Sequence, residues 1–126
     1  KKNKNTILQN AELTILAESN AIANLVNFLN DDFENAVKYI HNSNGRVIIT
    51  GIGKCALIAI KIVASFNSTG TPAIYMHAAD AILGDLRTIQ KNDIVVCISK
   101  SGNTPEIKVL VPSIRPTNAL VPKIIP

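Results

Sequence analysis

The chain contains 126 residues, of which 47% are hydrophobic, 17% charged and 4% aromatic, and its formal net charge is +4. That length suits one domain with a real core, but it is small for a complete α/β enzyme. The positive charge is mild and comes largely from Lys1, Lys2 and Lys4, so it argues against a nucleic-acid-binding surface.

Cysteine content and hydropathy narrow the class of protein further. The two cysteines, Cys55 and Cys97, form neither a disulfide framework nor a metal-ligand spacing. We find neither an apolar run of the roughly 18 residues that a membrane span needs nor the layout of a signal peptide. We therefore expect a cytoplasmic protein that requires no metal and no cofactor and that contacts no membrane.

The first predicted element is a long amphipathic helix over residues 6–29. Asn5 or Thr6 could cap it, since both residue types accept hydrogen bonds from free amides at a helix start. Its apolar side chains recur at helical spacing. They are Leu8, Ala11, Ile15, Ile22, Leu25 and Leu29.

A second, shorter helix is predicted to precede the first strand. It runs from a cap at Asp31 or Asp32 to about Ile40, where the turn cluster His41–Gly45 closes it. The β-branched run Val47–Thr50 then predicts a buried parallel strand, because such strands are nearly continuous in Val and Ile.

The polar loop Gly51–Lys54 separates this strand from a third helix, predicted over about Ala56–Asn67. That helix has almost no polar face, which implies burial on more than one side. A short second strand is predicted at Ala73–Met76, and residues 77–84 are expected to form a short helix or loop.

The same order of strand, polar loop and helix start then recurs. A third strand is predicted at Asp93–Ile98, followed by the loop Ser99–Thr104. Thr104 is expected to cap a helix that begins at Pro105, a position where proline is tolerated, and ends at about Val111.

The tail after the last predicted helix is rich in proline. Only Ala119–Val121 or Ile124–Ile125 could add a strand there, at an edge of the sheet. Strands that alternate with helices predict right-handed βαβ units and a parallel sheet. Three or four strands are few for this architecture, so we expect the chain to hold a domain whose C-terminal part is missing.

Both polar loops follow the carboxyl ends of predicted parallel strands. In open α/β sheets that edge is where ligands bind. The loops carry glycines and hydroxyl groups, and each leads into a helix whose first amides lack partners within the helix. They therefore predict an anion site, most simply a phosphate site.

The first loop fits two familiar phosphate-binding motifs only in part. A Walker A motif fails because Ile48 and Cys55 stand where it needs Gly and then Ser or Thr. A dinucleotide fingerprint lacks its acidic residue about 20 positions on, where Met76 and His77 stand. The two glycines could also serve only a tight turn, although Lys54 beside them favours an anion. The fingerprint positions are Gly51, Gly53 and Ala56.

The second loop carries the stronger indication of phosphate binding. Ser99, Ser101 and Thr104 place three hydroxyl groups around Gly102, directly before a helix. Hydroxyl donors and backbone amides can surround a phosphate dianion without an arginine. The alternative is an ordinary capping turn, with Ser101 or Thr104 as the cap.

Four segments, in this order, resemble the sugar isomerase (SIS) domain family. They are most like the arabinose-5-phosphate isomerases of bacterial Kdo and capsule synthesis, and the likeness runs from about residue 10 to residue 112. The segments are GRVIITGIGK (Gly45–Lys54), STGTPAIYMHAADA (Ser68–Ala81), GDL (Gly84–Leu86) and DIVVCISKSGNTPEI (Asp93–Ile107).

The resemblance implies a three-layer α/β/α sandwich with a parallel, flavodoxin-like sheet that binds a phosphosugar at the carboxyl ends of its strands. Residues 1–126 would then be a single, partial SIS domain without CBS domains. Such enzymes interconvert D-arabinose 5-phosphate and D-ribulose 5-phosphate, and their subunits share active sites in tetramers. We therefore expect a sugar phosphate as ligand, a homo-oligomer, and no nucleic-acid or membrane partner.

The resemblance also assigns roles to individual residues. Catalysis would fall to Lys54 and to Glu106, although Glu106 taken alone is equally a first-turn acid that favours the helix dipole. Isomerisation needs an acid or base that moves a proton between C1 and C2, and donors that stabilise the oxyanion. The substrate phosphate would bind to Ser99, Ser101, Gly102 and Thr104. The substrate loop would contain Gly51, Gly53 and Cys55.

Some positions depart from the family pattern. Cys55 replaces a serine, Leu83 replaces the histidine of an HGDL motif, and Arg87 replaces a glycine. The family's further catalytic glutamate and histidine would lie beyond Pro126. These departures leave open a phosphosugar-binding module without turnover. A protein-interaction role for the helix over 6–29 is a third possibility, although that helix more readily forms a homo-oligomer.

Overall fold

A computed structural model of the chain describes residues 4–83 and 89–114. The described residues divide into two units, an N-terminal unit that ends at Asp31 and a larger unit that begins at Asp32. Within the described ranges, no helix is both long enough and apolar enough to cross a membrane.

The N-terminal unit consists of helix α1 (Lys4–Asn24) and a 3₁₀ turn (Leu25–Phe28). A helix was predicted here, but its α-helical part ends five residues before the predicted limit. The amide of Leu29 bonds to the carbonyl of Val26 at 3.3 Å, which tightens the last turn into 3₁₀ geometry. The predicted caps, Asn5 and Thr6, are wrong, because both residues already lie inside the helix.

The apolar side chains of α1 are not confined to one face. Ile15 and Ile22, on the predicted apolar face, are 66% and 68% exposed. Leu13 and Leu16 lie on other faces and are 64% and 52% exposed, so the helix is less amphipathic than the sequence predicted. A single helix cannot bury these side chains by itself, and they require another surface.

The larger unit is built on a three-stranded parallel sheet with the strand order β2–β1–β3. Its strands are β1 (Val47–Gly51), β2 (Ala73–His77) and β3 (Ile94–Ile98). All three strands were predicted; β1 and β2 each extend one residue further than expected, and β3 begins one residue later. Gly51 pairs with His77 on one side and with Ile98 on the other, so the three strands end at one level.

Helices cover both faces of this sheet, which confirms the predicted three-layer α/β/α architecture. They are α2 (Asp31–Asn42), α3 (Lys54–Ser68), α4 (Ala78–Leu83) and α5 (Pro105–Ile114). Ile48 and Val95 form one core with α4 and with Ile107 and Leu110 of α5. The side chains of β1 that point the other way pack against Ala59 of α3.

Within the larger unit, helix α3 is buried on one side only, which does not match the predicted burial on more than one side. Ala56 and Ala59 face the sheet and are 9% and 0% exposed. Leu57 and Ile58 point away from the sheet and are 70% and 52% exposed. Within the larger unit, the sheet covers only the first face of α3, and no described residue of that unit covers the second.

Two other helix limits differ from expectation. Helix α2 already includes Asp31 and runs on to Asn42, so Asp31 begins the helix rather than preceding it. Helix α5 continues through Pro112 to Ile114. The candidate edge strands near the C-terminus lie outside the described residues.

The carboxylate of Asp93 joins the starts of β1 and β3. It is 2% exposed and accepts hydrogen bonds from the backbone amide, Nε and Nη2 of Arg46 at 2.9, 3.3 and 2.7 Å. The amide of Gln90 donates a fourth bond at 2.7 Å. A Cβ at Gly45 would overlap the backbone carbonyl of Asn92, so the chain segments that lead into the two strands approach each other too closely here for any other residue.

We expect Asp93→Asn to lower the free energy of unfolding by about 2–3 kcal/mol, because an amide cannot accept all four bonds or balance the Arg46 charge. Burial raises the pKa of Asp93, but the hydrogen bonds from Arg46 and Gln90 outweigh it and hold this pKa below its usual value. The stabilisation should therefore be complete above about pH 4 and should be lost as the pH falls further. Urea unfolding between pH 3 and pH 7 measures both effects.

Glu34→Gln is the matched control for this substitution. Glu34 pairs with Lys38 at 3.1 Å on the surface of α2, and both side chains are more than 60% exposed. Its loss should change stability by no more than about 0.5 kcal/mol. Equal effects of the two substitutions would show that the Asp93 interaction contributes no more than a surface pair.

A second prediction concerns the thiol of Cys97, which lies in β3. Burial raises the pKa of this thiol from 9.0 to about 11. At pH 8 only about one thiol in a thousand would then be ionised, and the thiolate is the reactive form. In a Cys55→Ala variant, alkylation by iodoacetamide should be slow at pH 8 and should accelerate about tenfold per pH unit up to pH 10. A rate that levels off below pH 9 would contradict the buried position.

Candidate functional site

The first loop turns sharply from β1 into α3, and its glycines make that turn possible. Gly53 has a φ of +62° and immediately precedes α3. A Cβ at Gly51 would lie 2.9 Å from the backbone carbonyl of Cys55. The amides of Cys55 and Ala56 bond to the carbonyls of Ile52 and Gly53 at 3.2 and 3.1 Å. Both glycines therefore permit the tight turn between β1 and α3.

In the second loop, serine side chains hold the backbone in place. Ser99 Oγ accepts a hydrogen bond from the amide of Gly102 at 2.9 Å, and Ser101 Oγ accepts one from the amide of Asn103 at 3.1 Å. Gly102 has a φ of +70°, which favours glycine. Because each hydroxyl accepts through its oxygen, its own proton is the group that it offers to an anion.

Thr104 stands at the start of α5, as predicted, but its side chain does not cap the helix. Its carbonyl accepts the helical bond from the amide of Lys108 at 3.1 Å. Its Oγ1 is buried and has no hydrogen-bond partner in the described part of the chain. A buried hydroxyl without a partner is unfavourable, so this atom requires a partner that the described residues do not supply.

The parallel register brings the two loops to the same edge of the sheet. Gly51 and Ile98 are partners in adjacent strands, and the loops continue directly from them. Adjacent strands lie about 4.8 Å apart, so loops separated by nearly 50 residues in sequence begin next to each other. The predicted phosphate loop and the predicted substrate loop are therefore neighbours.

The two residues expected to carry catalysis start different helices. Lys54 is exposed at the start of α3, and Glu106 is half-buried in the first turn of α5. These helices cover opposite faces of the sheet. Accordingly, Lys54 and Glu106 form no salt bridge with each other among the described residues. A ligand that contacts both would have to reach across the carboxyl ends of the strands, from one face of the sheet to the other.

His77 ends β2 beside the first loop, one residue beyond the predicted end of that strand. Its Nδ1 accepts a hydrogen bond from the amide of Ala79 at 3.2 Å, so the ring carries its proton on Nε2. The ring meets Tyr75 edge to face at 6.4 Å between centroids. Burial and the nearby Asp80 raise the pKa of the Tyr75 phenol above its ordinary value.

Sequence reasoning missed one polar group at this edge, the hydroxyl of Thr50. It is completely buried and has no hydrogen-bond partner in the part of the chain that the structure describes. The available signal was a single hydroxyl inside an otherwise aliphatic strand. Leu83 ends α4, and Gly84–Leu86 and Arg87 lie outside the described residues. Across the described ranges, no group of three or more His, Cys, Asp or Glu could hold a metal ion.

Comparison with known proteins connects this arrangement to one family. The SIS domain profile matches residues 39–125. Arabinose 5-phosphate isomerase KdsD of Pseudomonas aeruginosa is 39% identical over 86% of this chain and 33% of its own length. The chain therefore spans about a third of the length of the sequence relatives that it matches.

Two solved structures share the fold. A putative sugar-phosphate isomerase of Listeria monocytogenes matches with a TM-score of 0.90 and 33% identity over 96% of this chain and 64% of its own. An Escherichia coli CFT073 protein in complex with arabinose 5-phosphate matches with a TM-score of 0.88 and 32% identity, over 95% of this chain and 64% of its own. Sequence profile, sequence relatives and fold agree with one another, and the chain belongs to the SIS domain family.

Proposed function

We propose that this chain is the phosphosugar-binding part of an aldose–ketose isomerase that interconverts D-arabinose 5-phosphate and D-ribulose 5-phosphate in Kdo or capsule synthesis. The observation that carries the proposal is the unpaired, buried hydroxyl of Thr104 beside the hydroxyls of Ser99 and Ser101. The relatives named arabinose 5-phosphate isomerase and the related structure in complex with arabinose 5-phosphate support the choice of substrate.

The second loop is suited to the phosphate of such a substrate. Ser99 and Ser101 can donate their hydroxyl protons while their oxygens remain bonded to the loop. The loop opens onto the N-terminus of α5, where the helix dipole favours an anion. Thr104 adds a buried donor, and hydrogen bonds between charged and neutral groups are stronger than those between neutral groups.

The chemical step requires a base and a group that stabilises negative charge. When the aldose is the substrate, Glu106 would remove the proton from C2 as the aldehyde oxygen at C1 takes up a proton. The resulting enediol would then lose the proton of its C2 hydroxyl and gain one at C1, which leaves a ketone at C2. Lys54, which starts the helix on the opposite face of the sheet, would stabilise the negative charge that develops on the substrate oxygens.

A second candidate function, phosphosugar binding without turnover, is favoured by two observations. Cys55 occupies the position after the loop lysine, and a thiol is a weaker hydrogen-bond donor than a hydroxyl. Lys54 and Glu106 start helices on opposite faces of the sheet. A protein of this kind would keep the phosphate loop and act as a sensor or regulatory protein.

The exposed apolar side chains support a homo-oligomer in either case. They lie on several faces of α1 and on the outer face of α3, where Leu57 is 70% exposed. Symmetric association of identical chains is the commonest way in which soluble proteins cover such surfaces. A cytoplasmic location remains a prediction.

The phosphate loop can be tested by calorimetric titration with arabinose 5-phosphate. We expect saturable binding that weakens about tenfold in Ser99→Ala and in Thr104→Val, because each loses one hydrogen bond to a charged group. Ser68→Ala is the control, since the Ser68 hydroxyl bonds to the Ser65 carbonyl at the far end of α3. Its affinity should equal that of the wild type, and absence of wild-type binding would overturn the proposal.

Glu106→Gln separates binding from catalysis. We expect it to lower kcat by about 10²-fold or more, the usual effect of losing a general base, and to leave the affinity for arabinose 5-phosphate within about threefold. A coupled assay of ribulose 5-phosphate formation measures kcat, and titration of the same sample measures affinity. Wild-type binding with no turnover would favour the second candidate, and full activity in the variant would remove Glu106 from the mechanism.

A further inference from the structure

Thr50 carries a hydroxyl that the described chain does not use. It is the fourth residue of β1, the central strand, and it is completely buried. Its strand neighbours in register are Met76 and Cys97, and its Oγ1 has no hydrogen-bond partner among the described residues. The three residues before it in the strand are aliphatic.

Packing alone does not explain a threonine at this position. Valine has nearly the same shape, and it would fill the same space without burying a polar atom. A buried hydroxyl that lacks a partner destabilises the folded chain, because it loses its bonds to water and gains none in return. The hydroxyl therefore destabilises the folded chain until a group from outside the described residues forms a hydrogen bond with it.

The position of Thr50 suggests which molecule supplies that group. Side chains alternate along a strand, so Thr50 shares its face with Ile48, which packs in the core that α5 covers. Thr104, the other threonine with an unpaired buried hydroxyl in the described ranges, immediately precedes α5. Thr50 and the helix that Thr104 precedes therefore share one face of the sheet, and each of the two threonines stands next to a loop at the carboxyl ends of the strands.

We propose that Thr50 is a further binding residue of this site, whose hydroxyl, like that of Thr104, forms a hydrogen bond to the sugar phosphate that enters beneath the second loop. The inference rests on the proposed function, since it requires a phosphosugar at this edge. It extends the site from the loops into the central strand. On this proposal, the hydroxyls of Thr50 and Thr104 lack hydrogen-bond partners only while no ligand is bound.

Two substitutions separate the hydroxyl from the shape of the side chain. Thr50→Val keeps the shape and removes the hydroxyl, whereas Thr50→Ser keeps the hydroxyl and removes the methyl group. We expect Thr50→Val to bind arabinose 5-phosphate about tenfold more weakly than the wild type, as expected for one lost hydrogen bond to a polar ligand. Its thermal midpoint without ligand should be equal to or above that of the wild type.

Thr50→Ser should have the opposite effects on affinity and on thermal midpoint. Its affinity should stay within about threefold of the wild type, and its thermal midpoint should fall because a buried methyl group is lost. Affinity and stability would therefore rank the two variants in opposite directions. A purely structural hydroxyl predicts that both quantities fall together in Thr50→Val.

Inorganic phosphate is the second probe in the same titrations. If Thr50→Val weakens both phosphate and arabinose 5-phosphate, the hydroxyl contacts the phosphate group, and if it weakens only arabinose 5-phosphate, the hydroxyl contacts the sugar. Either result supports the proposal. Thr69→Val is the matched control, because the Thr69 hydroxyl bonds to the carbonyls of Ser65 and Phe66 at the opposite edge of the sheet. Its affinity should not change.

Two results would overturn the inference and leave the proposed function standing. One is wild-type affinity in Thr50→Val, and the other is a lower thermal midpoint in ligand-free Thr50→Val, which would mean that the hydroxyl is already bonded. Failure of the wild-type chain to bind either probe would overturn the inference together with the proposed function.

Discussion

The buried carboxylate of Asp93 is the interaction on which the arrangement of the site depends. It joins the starts of β1 and β3 through four hydrogen bonds, three of them from Arg46. Because the strands are parallel, a register set at one end is kept at the other, and Gly51 lies beside Ile98. The pair of Arg46 and Asp93 at the amino ends of the strands therefore aligns two loops at their carboxyl ends.

The loops themselves combine rigidity with unused hydrogen-bonding capacity. Glycines allow the positive φ that the two turns need, and serine oxygens bonded to loop amides hold the backbone of the second loop. The hydroxyl protons and the buried oxygen of Thr104 are left to interact with a bound molecule. If the loops bind a sugar phosphate as proposed, the site is organised before binding, so little conformational entropy needs to be lost when the ligand enters.

Sequence patterns predicted the sheet and the loops well, because continuous Val and Ile runs and glycine-rich turns report local constraints. They could not predict that α3 would leave Leu57 exposed, since exposure depends on what covers a helix and not on its own composition. The role of Asp93 was missed because its partner, Arg46, lies 47 residues away. The unpaired state of Thr50 likewise depends on its surroundings in three dimensions.

The positions of α3 and α5 have a kinetic consequence. Both helices start at the carboxyl edge of the sheet, so the positive ends of two helix dipoles and the Lys54 ammonium face the same region of solvent. The Glu106 carboxylate in the first turn of α5 offsets part of this positive charge, and the remainder attracts an approaching anion over about 8–10 Å at physiological ionic strength. Dissolved salt would therefore slow the encounter of an anion with this edge more than it would hasten the anion's escape.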